Sequence, residues 1–174
     1  NTLFFLFYCS LWMTLLFGVF LAIPIVDLAF AISSNAAGKE ETFQKIKDAI
    51  DFIITYYGND RIRYAVVTFG SSSYDDVKFQ DGRTVDELRQ LIERLPRATG
   101  VPNLKEALET AKGVFDQALD RPRAKKFLVV VMDSKSGNQP GEIQQGAKAL
   151  EEEEIKVGRL LFVNLTLLFL KPDC

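Results

Sequence analysis

The chain has 174 residues, of which 48% are hydrophobic and 25% charged, enough for one domain with a sizeable core. Twenty-one Lys and Arg against 23 Asp and Glu give a formal net charge of -2, which does not favour nucleic acid as a partner. The sequence contains no His, so Ser-His and Cys-His nucleophile pairs and all His-containing zinc sites are excluded. Most familiar hydrolase mechanisms are therefore excluded before any motif is considered.

Residues 1–24 form a hydrophobic leader. The first charged residue is Asp27, and the run over residues 3–23 is long enough to span a bilayer as a helix. This pattern predicts a signal peptide, a signal anchor or a transmembrane segment, and hence a secreted or membrane-anchored protein. A plain signal peptide is disfavoured because the run lacks an initiator Met, a basic flank and a small-x-small site before Pro24. A misassigned terminus is the alternative.

The end of the chain is also apolar. The run over residues 160–170 is too short to span a bilayer, and it predicts a core strand that continues into a truncated helix. Asn164 begins an Asn-Leu-Thr sequon, a glycosylation site if the chain is exported. Cys9 and Cys174 cannot form a CxxC pair or a four-thiolate metal site, and both a disulfide between them and two free thiols remain open.

Between these ends, short apolar runs alternate with helical periods, which is typical of an α/β domain over residues 25–174 with a doubly wound, mostly parallel sheet. The predicted elements are strands over 27–32 and 62–69, a short edge strand over 74–79, a strand over 127–132 and a last strand from Ile155, with helices over 39–57, 84–95, 103–118 and 142–153. The order is β-α-β-β-α-α-β-α-β, and the short edge strand is expected to be antiparallel.

Local signals mark two helix starts and one charged strand. Thr84 and Glu87 have the spacing of a capping box, and Asn103 with Glu106 repeats it. Arg61 and Arg63 alternate on one face at the start of a strand. We expect both arginines to be surface ion-pair partners that add little stability.

Four small, hydroxyl-rich loops follow the strands, over residues 33–38, 70–73, 99–103 and 133–137. Open parallel sheets bind ligands outside the carboxyl ends of their strands, so these loops are the candidate ligand face. The candidate residues are Ser34, Ser71, Ser72, Asn103 and Ser134. The alternative is that Ser and Gly are there only because loops favour them.

Four stretches read in order resemble the von Willebrand factor A domain family, also called the integrin inserted domain. They cover residues 25–32, 60–69, 106–111 and 126–134. The resemblance implies a Rossmann-like α/β fold and a non-enzymatic extracellular module that binds proteins. Its expected partner is a matrix or cell-surface protein, and its expected setting is cell adhesion or extracellular-matrix assembly.

The metal-ion-dependent adhesion site of that family uses an Asp-x-Ser-x-Ser turn, a Thr and a second Asp. Here Ser33, Asn35 and Ala37 stand at the turn positions, Pro102 falls at the Thr position, and only Asp133 is retained. The resemblance thus implies a degenerate site, because Ala and Pro offer no side-chain oxygen and a hydroxyl lacks the charge of a carboxylate.

We expect the binding of Mg²⁺ or Mn²⁺ to be weak or absent. The residues that would ligate the ion are Ser33, Ser34, Asn35 and Asp133. The alternative role of Asp133 is to cap its own turn. Residues 158–174 are also too short for the last strand and full terminal helix of the family, so its affinity switch is not expected.

Two other functions remain open. One is an intracellular scaffold of the same family, without a true leader. The other is a nucleotide- or phosphate-handling α/β enzyme, although no GxxxxGK[ST] or GxGxxG motif follows any predicted strand.

Overall fold

A computed structural model describes residues 24–33, 40–132, 136–161 and 168–169 of the chain. The predicted leader run, Cys9, Cys174 and the glycosylation site at Asn164 lie outside these residues and stay predictions. Within the described ranges, no helix has both the length and the apolar composition needed to cross a bilayer.

The described residues form an open six-stranded sheet with helices on both faces. The strands are β1 (Val26–Ser33), β2 (Ile62–Phe69), β3 (Ser73–Val77), β4 (Lys125–Met132), β5 (Ile155–Leu161) and β6 (Leu168–Phe169). The helices are α1 (Glu40–Tyr57), α2 (Val85–Glu93), α3 (Leu104–Gln117) and α4 (Pro140–Glu152). The sheet order is β3-β2-β1-β4-β5-β6, with β3 and β6 antiparallel to their neighbours and the other pairs parallel.

The predicted doubly wound fold and element order are confirmed, with one addition at the end of the chain. The sequence predicted a truncated helix after the last strand, and this prediction is wrong for Leu168–Phe169. These two residues form β6, which pairs with Leu160 and Leu161 of β5. The backbone groups along the outer edge of β5 need hydrogen-bond partners, and strand pairing supplies them. Residues 162–167 lie outside the described residues.

Both faces of the sheet are buried, which explains the continuous apolar runs of its central strands. Phe30 and Ile32 of β1 face α1 and α2, where they pack with Ile46, Ile50 and Ile92. The intervening residues of β1 face the other side, where α3 and α4 contribute the core. That second cluster includes Ala29, Ala31, Ala107, Leu108, Ala111, Leu128 and Leu150. The capping box predicted at the start of α2 is present, with Thr84 and Glu87 exchanging hydrogen bonds.

A buried ion cluster joins the amino ends of the central strands. Arg63 of β2 contacts Asp27 of β1 through two bonds, Nε to Oδ1 at 2.9 Å and Nη2 to Oδ2 at 2.7 Å. Arg121, from the loop before β4, adds a contact from Nη2 to Oδ1 of Asp27 at 2.5 Å. The hydrogen bond to Asp27 raises the pKa of Arg63 above its ordinary value, so its guanidinium keeps its charge.

The prediction that Arg63 is a surface ion-pair residue is therefore wrong. Its side chain is 4% exposed, as is that of Asp27. The reason is a long-range contact, because the loop after α3 covers this end of the sheet and the carbonyl of Leu119 accepts from Nη2 of Arg63 at 2.9 Å. Phe79 lies under the guanidinium, 5.6 Å from its ring centre.

We predict that Asp27→Ala lowers the free energy of unfolding by about 3–5 kcal/mol, because it leaves a buried guanidinium without its main partner. Urea denaturation of the full chain measures this change. Asp51→Ala is the matched control, since Asp51 pairs with Arg89 on the exposed surface of two helices. An equal fall in the urea midpoint for both variants would contradict a special role for the cluster.

A second carboxylate, which is half-buried, lies where β3 meets β2. Asp76 accepts hydrogen bonds from the backbone N and the Oγ1 of Thr68, at 3.1 Å and 2.5 Å. The pairing of β2 with β3 is irregular between Val66 and Thr68, and the carboxylate satisfies the backbone donor there. Burial raises the pKa of Asp76 above its ordinary value, although the bonds from Thr68 oppose the shift.

The raised pKa of Asp76 predicts a pH effect on stability. The folded state holds the proton more tightly than the unfolded chain, so the contribution of Asp76 is largest at low pH and falls as pH rises through the raised pKa. The Asp76→Asn side chain does not titrate, so this variant does not lose stability in this way. Its free energy of unfolding relative to that of the native chain should therefore be higher at about pH 6 than at about pH 3. Urea midpoints at the two pH values test it. Asp48→Asn, at an exposed position of α1, is the control and should show no such relative gain.

Candidate functional site

The carboxyl ends of the parallel strands meet at one end of the sheet, as predicted. Three described segments lie there, residues 70–74, 99–103 and 136–138, and together they are called the upper surface. The strand order reverses between β1 and β4, which end at Ser33 and Met132. Loops 34–39 and 133–135 lie outside the described residues, so the predicted roles of Asn35 and Asp133, and those of Ser34 and Ser134, stay predictions.

The first two segments of the upper surface are fixed to each other by backbone hydrogen bonds. Ser71 N donates to Thr99 O at 2.7 Å, and Asn103 N donates to Gly70 O at 2.7 Å. A Cβ on Gly70 would lie 2.3 Å from Thr99 O, so only glycine permits this approach. Thr99 O also accepts from the hydroxyl of Ser71 at 3.1 Å. The two loops therefore form one rigid surface.

The third segment is fixed to the second in a similar way. Gly137 N donates to Pro102 O at 2.9 Å, and the Ser136 hydroxyl donates to the same carbonyl at 3.1 Å. A Cβ on Gly137 would lie 2.9 Å from Cγ1 of Val101. The side chain of Val101 thus covers Gly137 and joins the two segments by an apolar contact.

An amide network closes the start of α3. Asn138 Nδ2 donates to Asn103 Oδ1 at 3.0 Å, while Asn138 Oδ1 accepts from Lys105 N at 3.1 Å. Ser136 Oγ accepts from Leu104 N at 3.3 Å. The first backbone N–H groups of α3, which an anion would otherwise bind, are thus occupied by neutral side chains of the chain itself.

Asn103 has a structural role in addition to its place on the predicted ligand face. Its Oδ1 accepts from Glu106 N at 3.3 Å, which confirms the predicted cap. The Glu106 carboxylate does not return to the backbone of Asn103 as in a capping box. It accepts instead from Asn103 Nδ2 at 3.0 Å and from Ser73 N at 3.2 Å. Ser136, Asn138 and Glu106 were not among the predicted site residues, although Ser and Asn in this loop are a signal for capping.

Ser33, a predicted candidate metal ligand, is the last residue of β1. It therefore lies where the strand order reverses. It is 1% exposed, and its Oγ has no hydrogen-bond partner among the described residues. A buried hydroxyl of this kind has lone pairs available for a ligand or a water.

The described residues do not fit a divalent-cation site. Within them, no group of three or more His, Cys, Asp or Glu lies close enough to hold a metal ion. Ser33 offers one hydroxyl and the buried Pro102 offers no side-chain oxygen, whereas Mg²⁺ and Ca²⁺ need six or more oxygen ligands.

The outward side of the upper surface combines hydroxyl and apolar groups. Ser71 and Ser72 are exposed, as predicted for the ligand face, and Gly100 is exposed between them and the third segment. Tyr74 and Val101 are exposed large hydrophobic residues at the same end of the sheet. Neither residue was predicted to belong to the ligand face. The local signal for Val101 was an apolar residue within a loop, and Tyr74 stood at the start of the predicted edge strand.

These features define an open α/β domain whose loops are joined into one surface at the carboxyl ends of its strands. The sequence pattern of the von Willebrand factor type A domain matches residues 27–160. The chain belongs to this family. The resemblance found in the sequence is confirmed, and the buried strands that carried it are β1, β2 and β4.

Solved structures of similar fold come from a mussel and a parasite. Proximal thread matrix protein 1 from the mussel byssus has a TM-score of 0.69 at 17% identity, over 78% of this chain and 35% of that protein. Its form with a zinc-occupied MIDAS motif has a TM-score of 0.68 at 18% identity, over 79% and 36%. Manganese-loaded Plasmodium vivax TRAP has a TM-score of 0.64 at 16% identity, over 80% and 57%. The chain thus spans about a third of the mussel protein and just over half of TRAP.

We predict that Mg²⁺ and Mn²⁺ shift the thermal midpoint of the chain by no more than about 1 °C relative to EDTA, because Ala37 and Pro102 offer no side-chain oxygen and Ser33 lacks the charge of a carboxylate. Differential scanning calorimetry in the three buffers checks this. A rise of several degrees that is lost in Asp133→Ala would contradict it and would place a working site at that residue.

Proposed function

We propose that the chain is a non-enzymatic protein-binding module of cell adhesion or extracellular-matrix assembly, and that the upper surface is its binding face. The observation that carries the proposal is the fixing of three loops into one surface that exposes hydroxyl and apolar groups. Binding through this face is independent of Mg²⁺ and Mn²⁺ or only weakly dependent on them.

The family supports the general class of function. Von Willebrand factor type A domains are generally non-enzymatic modules for protein–protein interaction and adhesion. The mussel relative is by name a proximal thread matrix protein of the byssus. We extend this setting to the present chain, with a matrix or cell-surface protein as partner.

The chemistry of the upper surface supports a protein partner. Val101 and Tyr74 supply exposed apolar area, and Ser71 and Ser72 supply hydroxyls that donate or accept. Aromatic residues are enriched in protein interfaces, where a desolvated centre is surrounded by a polar rim. Because the loops are joined before a partner arrives, little ordering entropy is lost on binding.

An extracellular setting accounts for the ends of the chain. The predicted leader would deliver the domain outside the cell, either secreted or anchored through residues 3–23. Glycosylation at Asn164 and a disulfide between Cys9 and Cys174 are expected only in that setting. A glycan on Asn164 in expressing cells would exclude the alternative of an intracellular scaffold.

The proposal is tested by binding of the full chain, purified in mild detergent, to immobilised collagen, fibronectin and laminin with and without EDTA. Val101→Asp should weaken retention about tenfold or more in both conditions, since a charge enters the apolar centre of the face. Leu119→Asp is the matched control, because Leu119 is also an exposed hydrophobic residue but lies at the opposite end of the sheet.

Two results would contradict the proposal. One is that none of the three matrix proteins retains the chain in either condition. The other is that Val101→Asp and Leu119→Asp weaken retention equally, because the upper surface would then not be the binding face.

A further inference from the structure

Three aromatic side chains are exposed together on the last turns of α1. Phe52 is 66% exposed, Tyr56 70% and Tyr57 63%, and these three residues are called the α1 aromatic patch. The rings of Phe52 and Tyr56 stack with centres 5.9 Å apart, and those of Tyr56 and Tyr57 meet edge to face at 4.9 Å. They form one continuous apolar cluster, which marks an interaction site more strongly than scattered exposed residues do.

The fold itself does not use the α1 aromatic patch. The buried side of α1 consists of other residues, which fill the core against the sheet and α2. These are Phe43, Ile46, Ile50 and Ile54. Since α1 is already amphipathic without the patch, its three exposed rings add nothing to the core and leave apolar area in contact with water.

The patch lies at the end of the domain opposite the upper surface. Helix α1 starts after the carboxyl end of β1 and ends before the amino end of β2. The hydroxyl of Tyr64 in β2 donates to the carbonyl of Gly58, directly after the patch, at 2.8 Å. Tyr64 is paired with Leu28 of β1. The patch is therefore close to the amino ends of both strands.

The uncharged segment over residues 3–23 joins the domain at this same end. Only Pro24 and Ile25 separate it from the start of β1, which is about 7 Å of extended chain. The length and composition of the segment match the hydrocarbon core of a bilayer. A bilayer that received the segment would therefore have its headgroups beside the patch.

We propose that the α1 aromatic patch lies in the interfacial layer of the phospholipid bilayer that receives residues 3–23. The inference rests on the membrane-anchored form of the proposed function. Tyrosine is enriched at this depth because its ring is apolar and its hydroxyl remains hydrated. From Phe52 to Tyr57 the helix axis advances about 7.5 Å, close to the thickness of one headgroup layer.

Contact of the patch with the bilayer would orient the whole domain. The apolar segment alone is a single tether, about which the domain could tilt. A second contact on α1 restricts that tilt and directs the upper surface away from the membrane, towards a partner on another surface or in the matrix. A second copy of the chain would also cover the rings, but it would not account for the joining of segment 3–23 at the same end.

The test uses the full chain in phosphatidylcholine nanodiscs and tryptophan as the probe. Trp12 is the sole tryptophan, so Trp12→Phe gives a silent background. Tyr56→Trp in that background should lose emission when the lipid is replaced by its dibrominated form, because bromine quenches only at close range. Tyr74→Trp is the matched control, since Tyr74 is 53% exposed on the upper surface, and its emission should not change.

Three results would overturn the inference. These are equal loss of emission in the two variants, a blue shift of Tyr56→Trp without quenching by bromolipid, and failure of the full chain to enter nanodiscs. The second result would assign the patch to a protein contact. Phe52→Trp provides a second probe if Tyr56→Trp does not fold. No matrix protein takes part in the assay, so its outcome is independent of the Val101→Asp binding experiment.

Discussion

The register of the central sheet depends on the buried ion cluster of Asp27, Arg63 and Arg121. Asp27 is opposite Arg63 in β2 and opposite Lys126 in β4, so one carboxylate lies near the amino end of both parallel pairings. A slip of one residue would move Asp27 to the other face of the sheet and take this carboxylate away from the buried Arg63 and the partly buried Arg121. Because the upper loops begin where these strands end, the strand register that the charge cluster favours also affects where the loops lie at the other end of the sheet.

Much of the fold could be predicted from local patterns. The continuous apolar runs predicted the buried parallel strands, and the bounds of β2 were predicted without error. The spacing of Thr84 and Glu87 predicted the start of α2, because a capping box is a contact across three residues. The exposure of Arg63 was predicted wrongly because its environment depends on contacts that are distant in the sequence. Its burial depends on Asp27 and Leu119, which are 36 and 56 positions away, and no local pattern encodes a contact at that range.

In the candidate site, too, local features could be predicted and contacts between distant segments could not. The substitutions at Ser33 and Pro102 are visible in the sequence, and so is the exposure of the loop around Ser71. The network that joins Asn103 to Asn138 is not visible, because it requires α3 and the loop after β4 to be neighbours in space. Strand β6 was missed for a related reason, since an apolar run of that length does not indicate whether a free sheet edge lies beside it.

The amide network at the start of α3 has a consequence for where the domain can work. Asn103, Ser136 and Asn138 join their two segments through groups that neither ionise nor exchange ligands in the physiological range. Secretory compartments differ in acidity and in calcium concentration, and a face held by carboxylates around a metal would change along that route. The three side chains of this junction carry no such carboxylate. The described carboxylate that contacts them is Glu106, which accepts from Asn103 Nδ2, so Glu106 is the group through which acidity would act on the junction.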